Sequence, residues 1–441
     1  MHVKRFAGFT AFFLILLSTC VQAGPEIQHW TDAKGARVYF VRTQGLPLLD
    51  VQVVFDAGSA RDGTQFGVAA LTSALLDAGA GSWDADTIAS RVEGVGALLG
   101  TGVSRDTAWL SLRSLTDSHK LDLALATANA ILRAPTFAEK DLERKKKQML
   151  VALQRREESP GALANVAFFE ALYGDHPYAH PVDGFTDSVK PLARDDVTSF
   201  YRRYYVANNA VVVIVGDVDR SQAEAIAGTL LLDLPEGERA PALPDVDAAA
   251  SGKTERIQFA SEQTHVLSGM PLVRRGDPDY VPLYVGNHIL GGSGLVSKIT
   301  EEVREKRGLS YSAYSYLEPM ARKGPFTMGL QTRNNRTDEA LGVMLKTLAD
   351  FIEQGPTDKE LDDAKKNITG GFVLRIDSNK KLVEYIAMIG FYELPLDYLD
   401  WFPKQVETVS REAVADAFKR RIHPDRFQTV LVGGGAKPGE E

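Results

Sequence analysis

The feature that most restricts what this 441-residue chain can fold into is that it repeats itself. A shift of 217 residues carries Arg194-Asp195-Asp196-Val197 onto Arg411-Glu412-Ala413-Val414, and Val213-Ile214-Val215-Gly216 onto Val430-Leu431-Val432-Gly433, without a gap. A shift of 219 carries Asp141-Leu142-Glu143 through Gln148 onto Glu360-Leu361-Asp362 through Asn367. Shared amphipathic character could produce either match alone, but two matches at nearly one spacing point to a duplication. Each copy is about 200 residues, enough for a core of its own. Between the copies, Pro235-Glu236-Gly237 through Pro244 and on to Ser251-Gly252 lacks periodicity and is rich in proline and small residues, which reads as a linker. The expected division is a first domain over 24–234, a linker over 235–252 and a second domain over 253–441.

Within a copy, strand and helix signals alternate. The compact apolar and β-branched run 48–55, which ends near Gly58, reads as a strand. Along 106–115, Ala108, Leu110 and Leu112 fall on one face and Trp109, Ser111 and Arg113 on the other, the pattern of a strand buried on one side. Helical spacing marks 121–132, 141–155 and 197–204, and 211–215 reads as a buried strand closing the unit. Hairpin-sized gaps predict an α+β fold, with each repeat a largely antiparallel sheet carrying helices on one face. Two such repeats joined by a mobile linker would enclose a cleft, and the chain as a whole would be one half of a clamshell.

The N-terminus carries Lys4 and Arg5, an apolar run over 6–17, and Val21-Gln22-Ala23 before Gly24, the layout of a secretory leader over 1–23. The run is too short to span a hydrocarbon core of about 30 Å, and no later segment reaches about 18 uncharged apolar residues, so no transmembrane segment is expected. The only cysteine, Cys20, lies in that leader, so the exported chain stands without disulfides. Lipidation at Cys20 is the weaker alternative, because Thr19 suits a lipoprotein signal poorly. The formal charge of −8 becomes −10 once Lys4 and Arg5 leave. Nucleic acid is therefore excluded as an expected partner, since phosphate binding needs a concentrated basic face. The one basic run, Lys145-Lys146-Lys147, sits beside Asp141 and Glu143 as a solvated helix face.

Several segments together resemble the pitrilysin, insulinase and mitochondrial processing peptidase family of zinc metallopeptidases. Phe55-Asp56-Ala57-Gly58-Ser59-Ala60-Arg61-Asp62 followed by Gly67-Val68-Ala69 is similar to the strand, turn and entry to that family's metal helix. Asp175-His176-Pro177-Tyr178-Ala179-His180-Pro181 is similar to a loop such proteins carry, and Asn208-Asn209-Ala210 into Val215-Gly216-Asp217-Val218 to the end of their first domain. In the second copy, Leu290-Gly291-Gly292-Ser293-Gly294-Leu295 and Val303-Arg304 through Gly308 to Tyr311 resemble the glycine loop, helix and arginine-to-tyrosine pair.

The departures from the family carry the functional expectation. The inverted motif His-x-x-Glu-His is replaced by Ala70, Ser73 and Ala74, and no His-Glu or Glu-His dipeptide occurs in the sequence. The counterpart of the third ligand lies within 150–152, which offers no carboxylate. Zinc requires imidazole, thiolate or carboxylate donors, and none stands at these positions. His176 and His180 are four apart, but Pro177 and Pro181 argue for a structural loop rather than a metal-binding helix. His119, His265, His288 and His423 are single and scattered.

Arg304 and Tyr311 remain. A helix ending at Gly308 would place Leu295, Ile299 and Val303 on one apolar stripe, with Arg304 one position off it. The resemblance implies that this pair stabilises the oxyanion of a scissile peptide, and that Gly291, Gly292 and Gly294 let an extended substrate approach closely. The expectation is a non-catalytic subunit with no cofactor of its own, completing the site of a homologous, zinc-bearing partner acting on short or unfolded peptides in the periplasm. The alternative is a peptide-binding or scaffolding pseudoenzyme that takes no part in hydrolysis. An independent peptidase with another centre is disfavoured by the absence of cysteine after processing and of a Gly-x-Ser-x-Gly elbow.

Overall fold

A computed structural model describes residues 25–247 and 249–435. The leader, its cleavage site and Cys20 lie outside the described residues, whose helices include none long and apolar enough to cross a membrane.

The first sheet consists of β1 (Gln28–Thr31), β2 (Arg37–Arg42), β3 (Leu48–Phe55), β4 (Leu98–Val103), β5 (Ala108–Leu115) and β6 (Ala210–Gly216), in the order β1-β2-β6-β3-β5-β4. The second consists of β7 (Lys253–Phe259), β8 (Gln263–Val273), β9 (Ser310–Leu317), β10 (Gly324–Arg333) and β11 (Gln428–Gly434), in the order β9-β10-β8-β11-β7. Neighbours are antiparallel except β2 with β6 and β11 with β7. Read from β7, the second sheet runs β7-β11-β8-β10-β9, which matches β2-β6-β3-β5-β4 strand for strand, the single parallel pair included. The repeat seen in the sequence is thus a repeat of topology, and the α+β expectation holds.

Each sheet carries its own helices on one face, among them Val68–Leu75, Ser118–Arg133, Glu139–Glu157 and Arg194–Tyr204 in the first half. The Asp117 carboxylate accepts from the Lys120 N–H at the start of Ser118–Arg133, and Thr357 with Glu360 forms a capping box at the start of Asp358–Phe372, the second-half counterpart of Glu139–Glu157. Such side chains occupy backbone groups that a helix terminus leaves unpaired.

The opposite faces are covered by exchange. Helix Pro160–Tyr173 of the first half lies across β8 and β11, where Phe168 and Leu172 join Leu267, Val430 and Val432. Helix Asn379–Phe391 of the second half lies across β3 and β6, where Val383 and Ile386 join Val54, Val211, Val213 and Val215. Gly390 permits this approach, since a Cβ there would stand 2.7 Å from Tyr39 Cε2 and 2.9 Å from Val211 Cγ1. Every residue of β6 is buried, which requires cover on both sides of the sheet.

The joining segment is a fixed strap rather than the mobile linker expected. Leu243 and Val246 are buried, the Leu243 carbonyl accepts from Arg322 Nε at 2.6 Å, and the Pro244 carbonyl accepts from His176 Nε2 at 3.0 Å. Arg239 pairs with Glu393 at 2.6 Å, and the same carboxylate holds Arg37 at 2.7 Å. At the centre of the junction the buried Asp106 carboxylate accepts from Tyr178 Oη (2.5 Å), Tyr392 Oη (2.9 Å) and the Ala321 N–H (2.8 Å). The two repeats are therefore interlocked, and the open cleft expected between them is filled by the exchanged helices, leaving pockets such as one of about 220 Å³ lined by Gly161, Asn165, His265 and Tyr314.

Candidate functional site

The helix that corresponds to the family's metal helix is well formed. Gly67 enters it with φ +95°, which favours glycine, and the buried Asp62 carboxylate accepts from the Gly67 N–H at 2.7 Å and the Ala69 N–H at 2.9 Å. Burial raises the Asp62 pKa to about 8 against the opposing effect of those two donors. His180 stacks on Phe66 with centroids 4.3 Å apart, donates from Nδ1 to its neighbour Pro181 carbonyl at 3.1 Å, and is held neutral by burial. His176 accepts from the Tyr178 N–H at Nδ1 and donates from Nε2 to Pro244, so both of its nitrogens serve the loop.

Along this helix Ala70 and Ser73 are buried and Ala74 is half-buried. On the neighbouring helix Leu150 is half-buried, with Val151 and Ala152 exposed. Among the described residues no group of three or more His, Cys, Asp or Glu side chains is placed to hold a metal ion. The donor set does not fit zinc, and no chemistry of this chain is routed through one.

The three glycines of the second half line a cavity of about 640 Å³, together with His288, Arg375 and the tyrosines Tyr314 and Tyr316 of edge strand β9. Those rings stack with centroids 5.5 Å apart, and burial raises both hydroxyl pKa values, that of Tyr316 to about 12. The loop is locked to β9 by Asn287, whose Oδ1 accepts from Ser315 Oγ at 2.7 Å. A Cβ at Gly291 would stand 2.4 Å from the Ser315 nitrogen, and one at Gly292 2.9 Å from Asn287 Nδ2. These two glycines answer to their own neighbours, whereas Gly294, at φ +67° with nothing within 4 Å, faces open space.

Arg304 and Tyr311 stand apart from that cavity, and neither lines it. Gly308 has φ +59° and its N–H bonds to the Arg304 carbonyl at 2.9 Å, so the helix ends where the sequence indicates. Ile299 and Val303 are buried beneath it, but Leu295 is exposed on a separate turn and leaves the expected stripe. Arg304 is 36% exposed and meets Glu305 at 3.3 Å. Tyr311 is 89% exposed, on a stretch of β9 where the pairing register shifts between Ser310 and Ala313. A bulge of this kind re-aims side chains at a sheet edge. Neither residue bonds to the other. The sequence reading missed Tyr314 and Tyr316, although their spacing of two along a strand places them on one face.

With this geometry in hand, comparison with known proteins is informative. Residues 38–184 match the family described as insulinase (peptidase family M16), and residues 191–368 match the peptidase M16 inactive domain. The non-peptidase homologue YmxG of Helicobacter pylori is 28% identical over 396 residues, covering 89% of this chain and 90% of that protein. An uncharacterized zinc protease of Streptomyces coelicolor is 30% identical over 319 residues, covering 71% and 69%. The crystal structure of a peptidase M16 inactive domain from Pseudomonas fluorescens superimposes with a TM-score of 0.90 at 38% identity, covering 93% of this chain and 99% of that one. A protease from Helicobacter pylori has the same fold, with a TM-score of 0.86 at 19% identity, covering 93% and 100%.

Proposed function

The chain belongs to the insulinase family, peptidase family M16, and from that premise we propose that it is an exported, non-catalytic subunit that completes the active site of a homologous zinc-bearing peptidase. The observation that carries this reading is the division within the chain. Ala70, Ser73 and Ala74 occupy the metal positions, while Tyr311 stands almost fully exposed on a bulged edge strand with no partner among the described residues. Two further features support it. Each half's second apolar face is covered by a helix of the other half, so a substrate cleft of the family's kind would need a second chain; and a relative covering 89% of this chain is called a non-peptidase homologue.

In this role the partner supplies the metal, the water and the general base. Arg304 and Tyr311 donate hydrogen bonds toward the carbonyl oxygen of a short or unfolded peptide as negative charge develops on it. Gly294 and the Tyr314–Tyr316 face border the space an extended segment would use.

The test is reconstitution. The processed chain is purified alone and with a zinc-bearing homologue from the same host, and association, zinc content and peptide hydrolysis are measured. Loss of one oxyanion donor costs roughly 2.7–4 kcal/mol, about 10²–10³ in kcat. Arg304→Ala and Tyr311→Phe should each lower the complex's kcat by about that factor without weakening association. Full activity with both variants defeats the shared-site reading. It would instead favour the scaffolding alternative, which one observation already supports: Gly291 and Gly292 are explained by internal packing, and Arg304 and Tyr311 lie outside the cavity beside them.

A further inference from the structure

The C-terminal repeat contains a second cavity, of about 370 Å³, that shares no lining residue with the glycine loop. It lies between the turn that enters helix Tyr280–Asn287 and helix Tyr398–Thr408. Its walls are apolar and aromatic: Pro278, Pro282, Leu394, Tyr398 and Trp401. Tyr398 and Trp401 are held against each other with centroids 5.6 Å apart, and Tyr398 stacks on Phe402 behind them, so the aromatic wall is rigid. A volume in this range, apolar lining and few polar groups describe a site for a small organic ligand.

The polar group that distinguishes this cavity is Arg275. Its Nε is buried without a hydrogen-bond partner, and it forms no ion pair among the described residues. Of the carboxylates around it, Asp277 is held by Arg421 at 2.8 Å and Asp279 by Arg420 and Arg421, while Glu318 lies within electrostatic reach of Arg275 but forms no ion pair with it among the described residues. The Arg275 guanidinium instead stands 5.5 Å from the Tyr392 ring centroid. A buried donor left unpaired is costly, and a planar guanidinium is shaped to receive a carboxylate through two parallel hydrogen bonds. We propose that this cavity binds a carboxylate bearing an aromatic or branched aliphatic side chain, the ring or branch against Trp401 and Tyr398 and the carboxylate on Arg275. Two sources share that chemistry: a free small acid, and the C-terminal residue of a peptide. The inference is independent of the shared-site reading, since it involves neither Arg304, Tyr311 nor a second chain.

The experiment is titration calorimetry on the processed chain with N-acetyl-L-phenylalanine and with its amide, which differ only in the charged group. The acid should bind at least about tenfold more tightly than the amide, the factor expected for a hydrogen bond to a charged group. Arg275→Met should bring the two level by weakening the acid. Leu394→Trp, which keeps Arg275 and fills the cavity, should abolish both, and this variant guards against misfolding through loss of the arginine. A tetrapeptide ending in phenylalanine that binds more tightly than the single residue identifies a chain terminus as the source; weaker binding identifies a free acid. Equal binding of acid and amide by the unaltered chain, or saturable binding of neither, overturns the proposal.

Discussion

Replacing Asp106 with alanine is expected to be the most damaging single polar substitution at the junction between the repeats. The carboxylate belongs to the first repeat, as does Tyr178, whereas Tyr392 and Ala321 belong to the second. Tyr178 Oη also accepts from the Arg322 N–H at 3.1 Å, so the same few atoms are bound from both sides. Burial, reinforced by the adjacent carboxylate, raises both tyrosine pKa values far above the ordinary range, so both hydroxyls remain donors at any workable pH. Each bond to a charged acceptor contributes roughly 1.5–3 kcal/mol, but taking the carboxylate out of water offsets part of the sum. Removal leaves three donors, Tyr178 buried and Tyr392 and Ala321 part-buried, without this acceptor, and the net loss should be about 3–5 kcal/mol. With a urea slope of about 3 kcal/mol per molar, the midpoint should fall by about 1–1.7 M. Tryptophan fluorescence reports both repeats, through Trp30, Trp83 and Trp109 in one and Trp401 in the other. Asp106→Asn, which keeps an acceptor oxygen, should lose less than half as much. A midpoint shift below about 0.3 M for Asp106→Ala, or separate unfolding of the two repeats in the unaltered chain, would refute the claim that this network and the exchanged helices make one cooperative body.

Gly390→Ala should destabilise, because overpacking against Tyr39 and Val211 costs about 1–3 kcal/mol while the gain in helix propensity is about 1 kcal/mol; Gly370→Ala, with nothing within 4 Å, should stabilise, and thermal melts of the pair check the sign. Asp62 has a folded pKa of about 8, above its unfolded value, so its stabilising contribution is full below about pH 4 and is lost as pH rises through 8. The difference in melting temperature between the unaltered chain and Asp62→Asn should therefore move against the unaltered chain from pH 5 to pH 9; a difference that stays constant removes this group from the pH response. Tyr311→Phe and Arg304→Ala should leave the isolated chain within about 0.5 kcal/mol of its original stability, since Tyr311 is 89% exposed and Arg304 meets only Glu305, while lowering the reconstituted kcat about a hundredfold or more. A comparable loss of stability would assign both residues to packing.

The repeat was legible because topology is written in the order of strongly patterned segments. The shift of 217 residues carries β6 onto β11 within one residue, and from those two strands the remaining correspondence follows. The alternation along β5 was equally plain, with every second side chain buried. What the pattern within one copy left open was the far side of each sheet. The five consecutive apolar residues Val211 to Val215 do indicate a strand covered on both faces, but not which element covers it. That element arrives from more than 150 residues away, and helix Asn379–Phe391 carries no mark of its destination beyond Gly390, whose missing side chain is meaningful only against Tyr39. The linker misled for a related reason. Proline and alanine without periodicity look the same in a free tether and in a strap whose carbonyls are already taken by Arg322 and His176.

The site divides along the same line. Absence of metal donors at Ala70, Ser73 and Ala74 is a statement about residue identity, which a sequence states completely, and folding adds that Ala70 and Ser73 are also buried. Restoring histidines and glutamate there would force larger polar groups into a helix packed against its neighbours, with no carboxylate awaiting them within 150–152, so three substitutions would not recover a zinc centre. The glycine loop shows the reverse case. Its residue types suggested close approach by a substrate backbone, but Gly291 is required by Ser315 and Gly292 by Asn287, leaving Gly294 alone open. A glycine records that something comes near; only the fold identifies what. In the proposed shared site Arg304 and Tyr311 are weighed for the opposite reason: among the described residues Tyr311 is held out on a bulged edge without a partner, and such a residue suits a role completed by a second chain.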